Sequence, residues 1–226
     1  MTAGMVVACA LLIIAVFSFA QSENLPITCG SSIKLQHVAT KFRLHSHEVA
    51  YSRGSQQQSV TAYPTGDDVN GLWTVLGTPD APCVPGDTFA KKQAVRLQHV
   101  ATRKWLHSHS FQSPLSGNLE VSAFGTESQT DGGDLWDVQW ESKSKVWKQD
   151  TKVRLHHRDT GGYLHSHDMK FGAPIAGQLE TCGKLQKDKN NEWTAAEGVY
   201  FPANTKPKAV GSADAATTDE GVPDEL

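Results

Sequence analysis

An excess of charge of one sign, closely spaced cysteines and long apolar runs are all scarce in this chain, and each shortage excludes something. Its 21 Lys and Arg face 24 Asp and Glu. Lys206 and Lys208 and the acids Asp214, Asp219, Glu220, Asp224 and Glu225 lie beyond Pro202, which leaves 19 of each sign in residues 21–201. A neutral body without a Lys/Arg cluster has no means of neutralising phosphates, so nucleic acid is excluded as a partner. An anionic membrane surface would find nothing to attract. Of the four cysteines, only Cys29, Cys83 and Cys182 lie past the first 20 residues, and none has a second cysteine at the close spacing of a metal or redox motif. Neither a Gly-x-Ser-x-Gly elbow nor a Gly-rich phosphate loop is present. No cofactor is indicated.

The one long apolar run is Val6–Phe19, inside an opening stretch of 20 residues that carries no charged side chain. Ser18-Phe19-Ala20 puts small residues where a signal peptidase reads, so residues 1–20 are expected to be a secretory signal cleaved after Ala20. No later run approaches that length, and no membrane insertion is expected of the remainder. In the oxidising compartment this implies, three cysteines suggest one disulfide and one leftover thiol.

What the chain has in abundance is self-similarity. Ile33-Lys-Leu-Gln-His37 through Leu44-His45-Ser46-His47 recurs as Val95-Arg-Leu-Gln-His99 through Leu106-His107-Ser108-His109. It recurs again as Val153-Arg-Leu-His-His157 through Leu164-His165-Ser166-His167, at steps of 62 and 58 residues. An apolar residue stands six positions ahead of each copy (Ile27, Phe89, Trp147), and a tryptophan follows the last histidine by 26, 27 and 26 residues (Trp73, Trp136, Trp193). Nine of the ten histidines fall on the three equivalent positions. Such repetition is the first thing that decides an architecture.

Within a copy the apolar residues alternate with Lys, Arg or Gln, the period of a half-buried strand, and no stretch sustains a helical period. Each copy opens with a hairpin around Ala-Thr-Lys/Arg or Asp-Thr-Gly-Gly. Units of about 60 residues are too small to bury a core alone, and three are too few for a propeller. The expected fold is all-β, one β-trefoil over residues 24–201 made of repeats at 24–78, 86–141 and 142–197. Trp73, Trp136 and Trp193 are expected in equivalent, partly buried places, with Leu44, Leu106 and Leu164 pointing inward. Cys29 and Cys83 flank one closed unit of such a trefoil, which predicts their pairing and leaves Cys182 free. Residues 202–226 carry almost no large apolar side chain and are expected to stay disordered.

The strings Arg43-Leu-His-Ser-His47, Gln57-Gln-Ser-Val-Thr61, Trp105-Leu-His-Ser-His109, Ser113–Gly125, Tyr163-Leu-His-Ser-His167 and Ala196-Glu-Gly198 resemble the MIR-repeat family, in particular its stromal cell-derived factor 2-like members. The likeness runs from about Leu25 to Phe201. It implies three MIR motifs in one β-trefoil behind a signal peptide, with an endoplasmic-reticulum retrieval sequence at the end. It further implies a role in lumenal quality control and the unfolded-protein response, with an Hsp70-class chaperone, its J-domain co-chaperone and misfolded or nascent clients as partners. Mannosyltransferase activity belongs to the family's polytopic membrane enzymes and is not expected here.

Three features remain to be weighed as chemistry. His45/His47, His107/His109 and His165/His167 each share a strand face, where an added ligand would complete a zinc site. Their threefold recurrence favours a structural role, and no acid is seen to accompany all three pairs. Ser46, Ser108 and Ser166 point to the opposite face, so no catalytic triad is expected. Asp67, Asp68, Asp131 and Asp134, ahead of the tryptophans, read as turn formers. The expectation is a non-enzymatic protein-binding module; the alternative is a lectin-like trefoil that stacks glycans on an exposed Trp105, Trp140 or Tyr163. Finally, Pro223-Asp224-Glu225-Leu226 resembles a retrieval signal in which Pro replaces the usual basic residue.

Overall fold

A computed structural model describes residues 24–204. The signal segment 1–20 and the C-terminal stretch from Thr205, with Pro223–Leu226, lie outside the described residues.

Twelve strands follow one another in three sets of four. The first repeat supplies β1 (Ser32–His37), β2 (Arg43–Ala50), β3 (Gln58–Tyr63) and β4 (Leu72–Leu76). The second supplies β5 (Ala94–His99), β6 (Trp105–Gln112), β7 (Leu119–Phe124) and β8 (Trp136–Trp140). The third supplies β9 (Val153–His157), β10 (Tyr163–Lys170), β11 (Leu179–Lys184) and β12 (Trp193–Val199). First and fourth strands close a six-stranded antiparallel ring, in the order β1, β4, β5, β8, β9, β12 and back to β1. The middle strands form hairpins β2–β3, β6–β7 and β10–β11, and β3, β7 and β11 pair with one another in a triangle that caps the ring. This is a β-trefoil. Closure leaves the ring no free edge for foreign strands to pair with.

The core is threefold because the sequence is. Ile27, Phe89 and Trp147, then Leu35, Leu97 and Leu155, then Leu44, Leu106 and Leu164 have no exposed surface. Burying each aliphatic side chain contributes roughly 1.5–3 kcal/mol. Trp73, Trp136 and Trp193 are also completely buried rather than partly so, because each Nε1–H finds a backbone acceptor inside: Leu44 O at 3.2 Å, Leu106 O at 2.9 Å and Leu164 O at 2.9 Å. A buried indole is tolerated when its one donor is satisfied. The turn after each first strand puts Lys41, Arg103 and Gly161 at φ 66°, 59° and 69°. Only the third copy uses glycine there, the residue for which that conformation carries no steric penalty.

Cys29 and Cys83 are joined in a disulfide, and Cys182 is a buried free thiol. The folded body extends past Phe201: the Asn204 N–H donates to Gly86 O at 2.9 Å and its side chain to Pro85 O at 3.1 Å, so residues 202–204 belong to the trefoil rather than to the tail.

Candidate functional site

His37, His99 and His157 close the first strands. Their Nδ1 atoms pair with Thr40, Thr102 and Thr160 hydroxyls at 2.8, 2.9 and 2.9 Å. Their Nε2 atoms meet the carbonyls of Asn190, Asn70 and Gly133 at 3.0, 2.8 and 2.9 Å. Those carbonyls lie in short 3-10 turns (Val69–Gly71, Gly132–Asp134, Lys189–Asn191), each just ahead of a fourth strand. Each imidazole also packs on the tryptophan of that strand, Trp193, Trp73 or Trp136, with ring centres 4.7–4.9 Å apart. Every one of these histidines therefore fastens its own repeat to the one before it, cyclically.

The histidine pairs do not stand without acids. Asp68 Oδ2 lies 2.8 Å from His45 Nε2, Asp131 Oδ1 lies 3.0 Å from His107 Nε2, and Asp188 Oδ1 lies 3.5 Å from His165 Nδ1. The expectation that no acid accompanies all three is corrected. Each of these aspartates caps its 3-10 turn, accepting from Asn70, Gly133 or Asn190 N–H, and so does the turn-forming work as well. The signal was present in the sequence: each stands five residues ahead of its tryptophan. Burial pushes the His45 and His165 imidazoles down to about 4 despite the neighbouring carboxylates, and lowers His107 likewise. At neutral pH these are neutral imidazoles beside carboxylates, not ion pairs, and His107 Nε2 hydrogen-bonds to Asp131.

The second members of two pairs meet buried glutamates. His109 Nε2 lies 3.3 Å from Glu120 Oε1, and His167 Nε2 lies 2.9 Å from Glu180 Oε2; neither glutamate has exposed surface. Phe111 and Met169 N–H groups donate to the Nδ1 atoms of His109 and His167, which turns the Nε2 edge of each ring toward the carboxylate. Burial would raise the Glu180 carboxyl, but His167 and the N–H groups of Leu115 and Ser116 outweigh it and hold it below its ordinary value. His47 has no such partner, and its Nε2 is buried without one.

The serines between the paired histidines are not placed to act as nucleophiles. Ser46, Ser108 and Ser166 hydroxyls donate to Ser59 O, Glu120 O and Glu180 O at 2.8, 2.9 and 2.9 Å, on the face away from the imidazoles. His165, His167 and Cys182 place donor atoms within 4.8 Å of one another. Both nitrogens of His167 are already engaged, and burial pushes the Cys182 thiol up to about 12. That set offers a metal at most one ready ligand, His165, rather than three. The aromatics considered for sugar stacking are not available as proposed: Trp105 and Trp140 are 3% and 1% exposed, and Tyr163 is half-buried. One polar groove of about 320 Å³ opens beside His107, His109, Asp131 and Asp159. Gly132 and Gly133 keep it open, since a Cβ on Gly133 would fall 2.2 Å from His107 Nε2 and one on Gly132 2.6 Å from Asp159 Oδ2.

A MIR domain match spans residues 43–196. A stromal cell-derived factor 2-like protein of Arabidopsis thaliana is 53% identical over 186 residues, which covers 82% of this chain and 85% of that one. The chain belongs to the stromal cell-derived factor 2-like MIR family. The crystal structure of the SDF2-like protein from Arabidopsis thaliana superposes with a TM-score of 0.79 at 53% identity, covering 80% of this chain and all of that one. The S. cerevisiae protein O-mannosyltransferase Pmt1-Pmt2 complex bound to its sugar donor contains a similar unit, with a TM-score of 0.69 and 30% identity over 83% of this chain but 29% of that one.

Proposed function

We propose that the protein is a non-enzymatic binding protein of the endoplasmic reticulum lumen. It acts in folding quality control as an adaptor between a lumenal Hsp70-class chaperone, its J-domain co-chaperone and misfolded or nascent clients. The observation that carries this reading is what the surface presents once the repeated polar residues have been used inside. Phe111 and Met169, two residues after the last histidine of their repeats, are 53% and 43% exposed. A depression of about 490 Å³ lined by Ser110, Gln112, Leu119 and the exposed Leu185 lies beside Phe111. Exposed apolar side chains at equivalent positions of two repeats suit protein contacts. The disulfide suits an oxidising compartment, and Pro223–Leu226 suits retrieval to it.

The test is direct binding of the purified chaperone and co-chaperone to the immobilised protein. Wild type should bind the co-chaperone, and Phe111→Ser with Met169→Ser should weaken binding about tenfold at unchanged melting temperature, the loss of two interface anchors. Failure of wild type to bind either protein sinks the adaptor reading. For location, the full chain should remain in the lysate while a version ending at Pro223 enters the medium; Pro223→Lys should increase retention. The lectin-like reading draws on the groove beside His107 and Asp131 and on the similarity to the Pmt1-Pmt2 unit. Saturable binding of an O-mannosylated peptide, lost in Gly133→Val, would support it.

A further inference from the structure

Residues 209–226 carry Asp214, Asp219, Glu220, Asp224 and Glu225 and no Lys or Arg. The folded body is neutral as a whole, but its charge is not evenly spread. Residues 91–92 and 141–154 hold seven basic side chains against the acids Glu141 and Asp150. Two of the seven, Lys152 and Arg154, are answered by Glu192 at 3.4 and 2.7 Å. Glu141 is engaged by Lys187 at 2.6 Å and by Arg154 at 3.6 Å. Lys91, Lys92, Lys143, Lys145 and Lys148 make no ion pair among the described residues, and Asp150 pairs with none of them.

The fold brings these lysines together from two distant stretches. An antiparallel bridge joins Ala90 to Val146, and Trp147 N–H donates to Phe89 O at 2.9 Å, which sets Lys91 beside Lys145. Lys92 follows, held by its N–H to Val138 O at 2.7 Å, and Lys143 stands two residues before Lys145. All four are exposed. The expectation of a body without a Lys/Arg cluster is corrected on this face. Like charges side by side on paired strands repel, so an anionic cover lowers the energy there. The described residues also stop nearby. Asn204 N–H donates to Gly86 O at 2.9 Å and its side-chain amide to Asp87 Oδ1 at 3.0 Å. Lys91 is four residues on from Asp87, a span of at most about 14 Å. Asp214 is ten residues on from Asn204, enough chain to cover about 35 Å.

We propose that the acidic segment 209–226 folds back onto the lysine face around Lys91 and Lys145 of its own chain and covers it against acidic partners. The charges are complementary, and the chain between Asn204 and Asp214 is long enough to join them. A tethered segment meets such a surface at an effective concentration on the order of millimolar, so contacts too weak to hold a free peptide are populated within one chain. An acidic partner in solution has to displace the segment before it can use the face.

The experiment is carbodiimide cross-linking of the full chain, which joins a carboxylate to a lysine amine only where the two touch, read by mass spectrometry. Acids of segment 209–226 should join Lys91, Lys92, Lys143 and Lys145 at about 0.01 M salt. The yield should fall about tenfold at about 1 M, where the screening length drops from roughly 30 to roughly 3 Å. Lys41 and Lys170, exposed elsewhere on the body, should react far less. A second form neutralises the segment with Asp214→Asn, Asp219→Asn, Glu220→Gln, Asp224→Asn and Glu225→Gln and leaves the body unaltered. It should bind a short polyglutamate peptide about tenfold more tightly than the wild-type chain does, because the tethered competitor is gone. Cross-links spread evenly over all exposed lysines overturn the proposal. So do cross-links that, in a mixture of isotope-labelled and unlabelled chains, always join different chains, or equal affinity of the two forms for polyglutamate.

Discussion

At the scale of single residues, the three turn-closing histidines do more than fill space. His99 bridges Thr102 to Asn70 O across a repeat boundary and packs on Trp73, with no exposed surface. His99→Ala leaves a buried carbonyl unmet and opens a cavity against an indole; a loss of about 2–4 kcal/mol is expected, read as a lowered urea midpoint at unchanged slope. The histidines also set the response to acid. Burial lowers His45 and His165 from 6.5 to about 4. Between those values the unfolded chain takes up a proton at each site and the folded chain does not. Stability is therefore complete above about pH 6.5 and falls as pH drops toward 4, on the order of 3 kcal/mol per histidine at the bottom of the window. Urea midpoints measured across pH 4–7 should show that slope, and replacing both histidines with Gln should flatten it. A wild-type midpoint flat with pH would contradict the burial argument. The structural role of these histidines was legible, because threefold recurrence marks a shared requirement of the fold. Their aspartates were marked only by standing five residues ahead of each tryptophan; that they meet histidines 23 or 24 residues away, across loops of different composition, is visible only in the fold.

At the scale of elements, the strands were the most legible part. Alternation placed β1, β5 and β9 within a residue, at Ile33–His37, Val95–His99 and Val153–His157, since one face of each must reach the core. Alternation gives a face but not a depth. It put Trp73, Trp136 and Trp193 inward without showing that a leucine carbonyl would take each indole N–H and permit complete burial. Nor could it show that Glu120 and Glu180 are covered by the preceding repeat's loop. Glu180 joins β11 to that loop through Leu115 and Ser116 N–H and to β10 through His167. Glu180→Ala should cost about 3–5 kcal/mol, because it leaves two amides and an imidazole buried without partners. Glu180→Gln keeps the hydrogen-bonding shape and should cost less. The two unfolding free energies, compared by urea titration, check the claim; equal losses would mean that the carboxylate charge alone matters.

At the scale of the molecule, the contacts between repeats run in two directions around the axis. Each turn-closing histidine holds the preceding repeat's 3-10 turn, while the loops after β2 and β6 cover the hairpin of the following repeat. The ring then closes on itself where β1 pairs with β12. A repeat removed from this cycle loses partners on both sides, and about 60 residues do not bury enough surface to compensate. The two ends of the described body, by contrast, sit together: Thr28 donates to Phe201 O at 2.8 Å. The order of the three repeats along the chain should therefore matter little, provided the cycle is complete. Residues 86–141 alone should be unfolded by circular dichroism. A circular permutant that joins Asn204 to Asn24 through a short Gly/Ser linker and opens at the exposed Ser142-Lys143 should fold, with a cooperative transition within about 2 kcal/mol of the parent. The permutant cuts no histidine bridge and no carboxylate clamp, so any loss comes from chain connectivity alone. A stably folded isolated repeat would mean that the repeats are independent units, and a permutant that fails to fold would mean that the linear order, rather than the closed cycle, stabilises the trefoil.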